Sequence, residues 1–426
     1  MMGFPSKRRS RESDEIADDL AEQGNQLEVQ FGPGVRGFDL DAAADVIESQ
    51  AQEGSMRIRI IVSGCLAAVV CVAGLSAQAR RTERVVLVTL DGSRWQDVFT
   101  GLDESLLRAS SPKDADITKL PAYQKFWAAT PEERREKLMP FLWRTLVARE
   151  GAIAGNRARG SAVSVTNRHW FSYPGYSEIL TGQAHDDVIR SNDAIRNAFP
   201  TVLQFVKRKL HQRPGGVATF ASWGVFSSIV ENAAGDTMVN AGLQPYNSSD
   251  VSLKAMSLLQ DETRLPWDNT RHDAYTFHFA MDYLKREQPV LLYIAFDETD
   301  DWAHDGKYEL VLQALHREDA YLQTLWTALQ ADPLYRDRTT LIVTADHGRG
   351  REGDGWKAHR SSLPGSDEVW LAIASPDVST RGEWHDHAPL FQNQIAATIA
   401  GVLGLDYREQ NAAAGPPLPM VNLRKP

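Results

Sequence analysis

TLIVTADHG, Thr340 to Gly348, decides the fold class of this chain. Its first six residues are apolar or β-branched with no polar alternation, the pattern of a strand buried on both faces. The run then stops at an acid, an imidazole and a glycine. The same arrangement recurs upstream. Val85 to Leu90 (VVLVTL) ends at Asp91-Gly92, and Val290 to Phe296 (VLLYIAF) ends at Asp297. Val217 to Ala221 and Val369 to Ser375 are further runs of this kind. Between them lie segments with helical spacing, such as Val202, Phe205, Val206 and Leu210, or Ile395, Ile399 and Val402. Strand and helix alternate. That predicts an α/β fold, a three-layer sandwich with a largely parallel central sheet.

In open sheets of this class, ligands bind outside the carboxyl ends of the strands. The acids and imidazoles of this chain gather there. Asp91 taken alone reads as readily as a helix cap. The combination says more. Asp300 and His304 are four apart and share a helical face. Asp346 and His347 are adjacent at a strand end, and His359 stands just ahead of the run Val369 to Ser375. Clusters at one edge can converge on one site. Imidazole and carboxylate donors together suit zinc, with manganese the alternative. Two such ions about 4 Å apart would clamp the attacking and leaving oxygens of an in-line displacement. The segment TNRHWFSYPGYSEILTG, Thr166 to Gly182, offers Ser172, Ser177, Thr166 and Thr181 as nucleophiles. A hydroxyl becomes a competent nucleophile when metal coordination lowers its pKa.

These segments together resemble the alkaline phosphatase superfamily, whose motifs they follow in order from Asp91 to about Ser375. LDG at Asp91 is similar to the first metal-binding element, and FSYPGYSEILTG to the nucleophile element, with a Ser or Thr two before a proline and a Thr-Gly closing the turn. DDWAH, Asp300 to His304, is similar to the Asp-x-x-x-His element, TADHG to the Asp-His-Gly element, and AHRSSLPGSDEVWLAIASP to the last one. The resemblance implies an alkaline phosphatase-like fold and two divalent ions. It implies that Asp91, Asp346 and His347 hold one ion, and Asp300, His304 and His359 the other. Ser172 between them would be the nucleophile, passing through a phosphoserine. Asn192, in IRSND, falls where pyrophosphatase-type members carry an asparagine that holds a substrate oxygen. The stretch 94–146 is long for a link between sheet elements and rich in helix formers. It reads as a helical elaboration over the active-site edge.

The formal net charge of −10 argues against a surface for nucleic acid, so the expected partner is a small phosphate ester. The only two cysteines are Cys65 and Cys71, which leaves no disulfide framework or cysteine metal site in the body of the chain. Both lie in MRIRIIVSGCLAAVVCVAGLSAQARR, Met56 to Arg81, which has a basic start, a short apolar run and an A-x-A site at Ala77 to Ala79. That is the layout of a secretory signal peptide over 56–79, cleaved after Ala79. Its apolar run is shorter than the roughly 20 residues of a membrane span, so no stable span is expected after cleavage. Residues 1–55 read as a disordered or over-extended N-terminus, 82–410 as the catalytic domain, and 411–426 as a loose tail. The mature protein is then expected in the periplasm or outside the cell.

Three other readings compete. Mutases of this superfamily carry a large inserted domain, for which only about Arg196 to Gln288 is available. A sulfatase needs an arginine that Ser172 to Tyr176 (SYPGY) lacks. A metal-stabilised binding protein would have no use for the serine. GRGREG, Gly348 to Gly353, fits G-x-G-x-x-G with no helical pattern behind it and reads as a loop. His385 and His387 rival His359 as the last ligand, and Asp297 and Asp301 rival Asp300. Trp95, Trp223 and Trp302 read as packing residues.

Overall fold

The computed structural model describes residues 82–423 apart from 264–266, 268 and 352. The N-terminal stretch read as 1–55 and the signal peptide of 56–79 lie outside the described residues.

Eleven strands are described: β1 (Arg84–Leu90), β2 (Gly151–Ala154), β3 (Val163–Ser164), β4 (Val217–Ala221), β5 (Met238–Ala241), β6 (Leu291–Phe296), β7 (Thr339–Thr344), β8 (Glu368–Val369), β9 (Leu371–Ala374), β10 (Gly382–Glu383) and β11 (Leu390–Phe391). Eight of them form the main sheet in the order β10-β2-β9-β7-β1-β6-β4-β5. β1 pairs parallel with β6 and β7, and β4 pairs parallel with β6 and β5. β9 alone runs antiparallel to its neighbours, β7 and β2. Every residue of β4, β6 and β7 is buried. Alternate side chains of a strand face opposite sides, so both faces of this sheet are covered. The α/β class and the mostly parallel sheet follow as expected.

The run Val369 to Ser375 is not one strand. It breaks at Trp370, so that β8 joins β3 and β11 in a small second sheet and β9 enters the main one. The Trp370 indole, fully buried, donates to Ser93 Oγ at 3.1 Å and pins the break.

Residues 94–146 contain no strand. Their helices Glu104–Ala109, Pro121–Phe126 and Pro131–Leu138 pack against the long helix Tyr308–Ala331. Asp319 of that helix accepts the N–H groups of Phe141 and Leu142, both at 2.8 Å. None of the hydrogen bonds of this segment reaches a candidate site residue among the described ones.

The loose tail is corrected by the structure. Leu418, Met420 and Val421 are buried. Gly415 N–H donates to Gly182 O at 3.0 Å, and Asn411 Nδ2 to Thr181 O at 2.9 Å. The last carbonyls of a helix have no partner within it. Here the tail supplies donors to the end of the helix Ser172–Thr181, while its scattered apolar residues enter the core. The folded unit therefore runs to at least residue 423. Among the described residues no helix is long and apolar enough to cross a membrane.

Candidate active site

The site is assembled at the carboxyl ends of β1, β6 and β7. β1 delivers Asp91 and then Gly92, whose φ of +56° is left-handed. A Cβ at Gly92 would stand 2.4 Å from Asp300 Oδ1, so both backbone and space demand glycine. Gly92 N–H donates to Asp346 Oδ1 at 3.0 Å, and Thr299 Oγ1 to Asp91 O at 2.6 Å. Three strand ends are thereby tied into one edge.

Asp91, Asp346 and His347 form a first group of donors whose atoms lie within 4.8 Å of one another. His347 Nε2 is 3.4 Å from both Asp91 Oδ1 and Asp346 Oδ2. Those two oxygens are buried and have no hydrogen-bond partner among the described residues. Orphaned buried carboxylate oxygens are costly unless something positive lies between them. His347 Nδ1 lies 2.9 Å from Gly348 O, which makes Nδ1 a donor and turns Nε2 toward the acids. Burial alone would push the His347 imidazole down, but Asp346, with Asp91 and Asp300, raises it to about 9. Burial, with Asp91 beside it, pushes the Asp346 carboxyl well above the usual range. Two carboxylates and an imidazole that crowd one another form a donor set that suits a divalent cation.

Asp300 and His304 share the face of the helix Glu298–His304, with His304 Nε2 3.1 Å from Asp300 Oδ2. His359 Nε2 lies 2.9 Å from His304 Nε2 and 3.6 Å from Asp300 Oδ1. Two imidazole nitrogens so close need a proton or a cation between them. His347 stacks on His359 with ring centres 3.8 Å apart. The second group of donors within 4.8 Å of one another among the described residues is Asp300, His347 and His359, so His347 belongs to both groups while His304 stands beside the second rather than in it. The donor set again suits zinc-type chemistry.

Ser172 opens the helix Ser172–Thr181 and is 5% exposed, with Oγ 3.4 Å from His347 Nε2. Gly175 makes this approach feasible, since a Cβ there would stand 2.3 Å from Asp346 O. The helix closes on Gly182 at φ +74°, the left-handed cap expected of the Thr-Gly pair. Asn192 Oδ1 accepts the Tyr173 N–H at 3.0 Å, which leaves its Nδ2 as the group that can donate beside Ser172.

The rivals stand elsewhere. His387 Nε2 bonds Ser161 Oγ at 2.7 Å, and His385 is exposed. Thr166 N–H is bound by Glu178, and Thr181 Oγ1 donates to Ser177 O at 2.7 Å. Asp297 is pushed well above the usual carboxylate range by burial and by Asp301 and Asp91. Burial pushes Asp301 up to about 8. Neither belongs to either donor group among the described residues.

Sequence reading missed two partners. Arg349, 2% exposed, donates to Gly92 O at 3.1 Å and Trp356 O at 3.3 Å, and its guanidinium also binds the Asp300 carboxylate. Tyr176 Oη donates to Asp91 Oδ2 at 2.7 Å. Its position, four after Ser172, was the available signal, since that spacing puts both on one helical face. If the group of Asp91, Asp346 and His347 holds an ion, Tyr176→Phe is expected to weaken its binding by about 10–100-fold, the usual effect of losing a partner of a metal ligand. Titration against a chromophoric chelator reads this, and an unchanged affinity would deny Tyr176 that role.

The chain belongs to the alkaline phosphatase superfamily, and the mostly parallel sheet with donor groups at its strand ends agrees with that placement. Within it, the chain belongs to the type I phosphodiesterase / nucleotide pyrophosphatase family, whose pattern matches residues 121–359, more than half of its length. The matched span takes in Ser172 through His359 and begins after Asp91. No curated protein sequence matches the chain. Similar solved structures include the phosphonate monoester hydrolase of Silicibacter pomeroyi, at 13% identity over 79% of this chain and 76% of that one, with a TM-score of 0.47. The lipoteichoic acid synthase LtaP of Listeria monocytogenes is 10% identical over 76% of this chain and 73% of that one, TM-score 0.47. Murine ectonucleotide pyrophosphatase / phosphodiesterase 5, solved with AMP, is 12% identical over 79% and 97%, TM-score 0.44. Likenesses of that size decide nothing about substrate.

Proposed function

We propose that this chain is an exported hydrolase of phosphate esters that works with two divalent metal ions, zinc first among the candidates, and with Ser172 as its nucleophile. Asp91, Asp346 and His347 would hold one ion, and Asp300, His304 and His359 the other. Bound there, the ions would lower the pKa of the Ser172 hydroxyl and offset the charge growing on the leaving oxygen. Ser172 Oγ attacks phosphorus in line. The Oγ–P bond forms as the bond from phosphorus to the leaving oxygen breaks. Water then cleaves the phosphoserine, releasing the phosphate product and restoring the hydroxyl. Asn192 Nδ2 donates to a non-bridging oxygen and orients the substrate. Most of the rate enhancement is positioning and electrostatic stabilisation, as is usual in phosphoryl transfer.

The observation that carries this reading is the pair of orphaned oxygens, Asp91 Oδ1 and Asp346 Oδ2, aimed at His347 Nε2 with Ser172 Oγ 3.4 Å from that same nitrogen. The family favours phosphodiesters and pyrophosphates as the first substrates to try. A mutase is disfavoured, because the stretch from Arg196 to Gln288 contributes β4 and β5 to the main sheet. Export rests on the run from Met56 and on the absence of cysteine after Cys71.

The test is a turnover screen of metal-reconstituted protein on phosphomonoesters, phosphodiesters, pyrophosphates, phosphonates and sulfate esters, repeated after chelation. Phosphate-ester turnover that chelator removes and added metal restores is expected. Protein that carries metal yet turns over no phosphate ester would defeat the proposal.

A further inference from the structure

We propose that Glu178 and Asn167 are positioning residues that set the second metal group from the helix carrying Ser172, by holding the Trp170 carbonyl against His359. The inference rests on the reading that His359 is a metal ligand.

The path is continuous. Glu178 sits in the middle of the helix Ser172–Thr181 and is fully buried. It has no cationic partner within its hydrogen bonds. Its oxygens instead accept the N–H of Thr166 at 2.8 and 3.0 Å, the N–H of Asn167 at 2.8 Å and Asn167 Nδ2 at 2.9 Å. Burial pushes the Glu178 carboxyl up, while the donors from Asn167 and Thr166 favour its charged form. The N–H groups that converge on both oxygens hold this carboxyl in one orientation. Asn167, 2% exposed, is thereby fixed with Oδ1 turned the other way, where it accepts the N–H of His169 at 3.1 Å and of Trp170 at 3.0 Å. The chain responds with a left-handed Trp170, φ +57°. A tryptophan there is uncommon and disfavoured, and it persists only where its surroundings over-determine it. The consequence is the direction of its carbonyl. Trp170 O lies 3.3 Å from His359 Nδ1. With Nδ1 donating, His359 presents its Nε2 lone pair to Asp300 and His304. One side chain in the nucleophile helix thus governs the aim of a ligand 189 residues beyond Trp170, on a different loop. It does so through the hydrogen bonds Glu178–Asn167, Asn167–Trp170 and Trp170–His359.

The test reads metal binding directly. Wild type, Glu178→Gln, Asn167→Ala, Trp170→Gly and Trp170→Val are reconstituted with zinc, and stoichiometry and stepwise affinity are measured by chelator competition. Glu178→Gln and Asn167→Ala are expected to weaken the second ion by about 10–100-fold and leave the first within a few-fold. The Trp170 pair isolates the backbone. Both variants lose the indole, but glycine enters the left-handed region freely and valine resists it. Trp170→Gly is expected to keep the second ion's affinity, and Trp170→Val to lose it. Equal effects of glycine and valine overturn the proposal, as does an unchanged second ion in Glu178→Gln. If Glu178→Gln fails to fold, the glycine–valine contrast still decides. A wild-type protein that binds fewer than two ions defeats the metal assignment itself, and that outcome is distinct from the others.

Discussion

Replacing Ser172 by alanine is expected to lower phosphate-ester turnover by roughly three to six orders of magnitude, the range seen when a serine nucleophile is removed from a built site. Each tenfold corresponds to about 1.4 kcal/mol of transition-state stabilisation. The remaining donors would still bind substrate and ions, so metal content should not change. The geometry explains why no neighbour substitutes. Ser177 Oγ is buried without a hydrogen-bond partner, and Ser177 O is engaged by Thr181 at the far end of the helix. Only Ser172 stands at the helix start beside His347. Two measurements check the prediction: kcat of the zinc-loaded variant, and mass spectrometry of acid-quenched wild type for a phosphorylated peptide containing residue 172. A variant within tenfold of wild type, still holding two ions, would remove Ser172 from the mechanism.

The central strands were legible because burial on both faces leaves a local mark. VVLVTL, VATFA, LLYIAF and TTLIVT are continuous apolar or β-branched runs, and they form β1, β4, β6 and β7. The margins leave no such mark. β2 is GAIA and β10 is Gly382–Glu383, too short and too small in side chain to show a period. β5, MVNA, is half-covered at the sheet edge. The Trp370 break between β8 and β9 depends on Ser93, 277 residues away, so no window of sequence contains its cause. The tail escapes sequence reading for a similar reason. Its composition is dominated by Ala, Gly and Pro, but the three buried apolar side chains of Leu418, Met420 and Val421 and a few hydrogen-bond donors suffice to seat it.

The site divides along the same line. Acids and imidazoles that directly follow strands, Asp91, Asp346 and His347, can be picked out of the sequence by type and place once taken together, and the structure brings those three within 4.8 Å of one another. Their supports cannot be picked out in this way. Arg349 reaches Gly92 across 257 residues, and Glu178 acts on a loop that precedes it by eleven to twelve. A buried Glu inside SEILTG carries no sequence sign of whether it meets a cation, a proton or a row of N–H groups.

Asp346→Asn is expected to move activity and metal-free stability in opposite directions. Asp346 is fully buried; Oδ1 accepts Gly92 N–H at 3.0 Å, and Oδ2 has no hydrogen-bond partner. An asparagine of the same shape keeps the first contact through its own Oδ1 and removes the charge. Without that charge the first donor group is left with one carboxylate, so one equivalent of metal should be lost, and turnover should fall by roughly a thousandfold or more, since a catalytic ion supplies several kcal/mol. The stability effect has the other sign. Burial, with Asp91 beside it, holds the Asp346 carboxyl well above its usual range. A group whose folded pKa is raised contributes stability that is present below its unfolded value and is lost as pH rises through its folded value. Chelator-treated wild type should therefore melt at progressively lower temperature as pH is raised above the ordinary carboxylate range. The asparagine variant should lack that part of the slope and melt higher near neutrality. Added zinc should raise the melting temperature of the wild type by more than that of the variant, which keeps one ion site of the two, because ion binding stabilises only through sites that can be filled. The measurements are metal content by mass spectrometry, turnover, and thermal melts across pH with and without zinc. An Asp346→Asn protein that keeps both ions and turns over within tenfold of wild type would mean that the orphaned oxygen is not a ligand, and the first metal group would have to be built from other side chains.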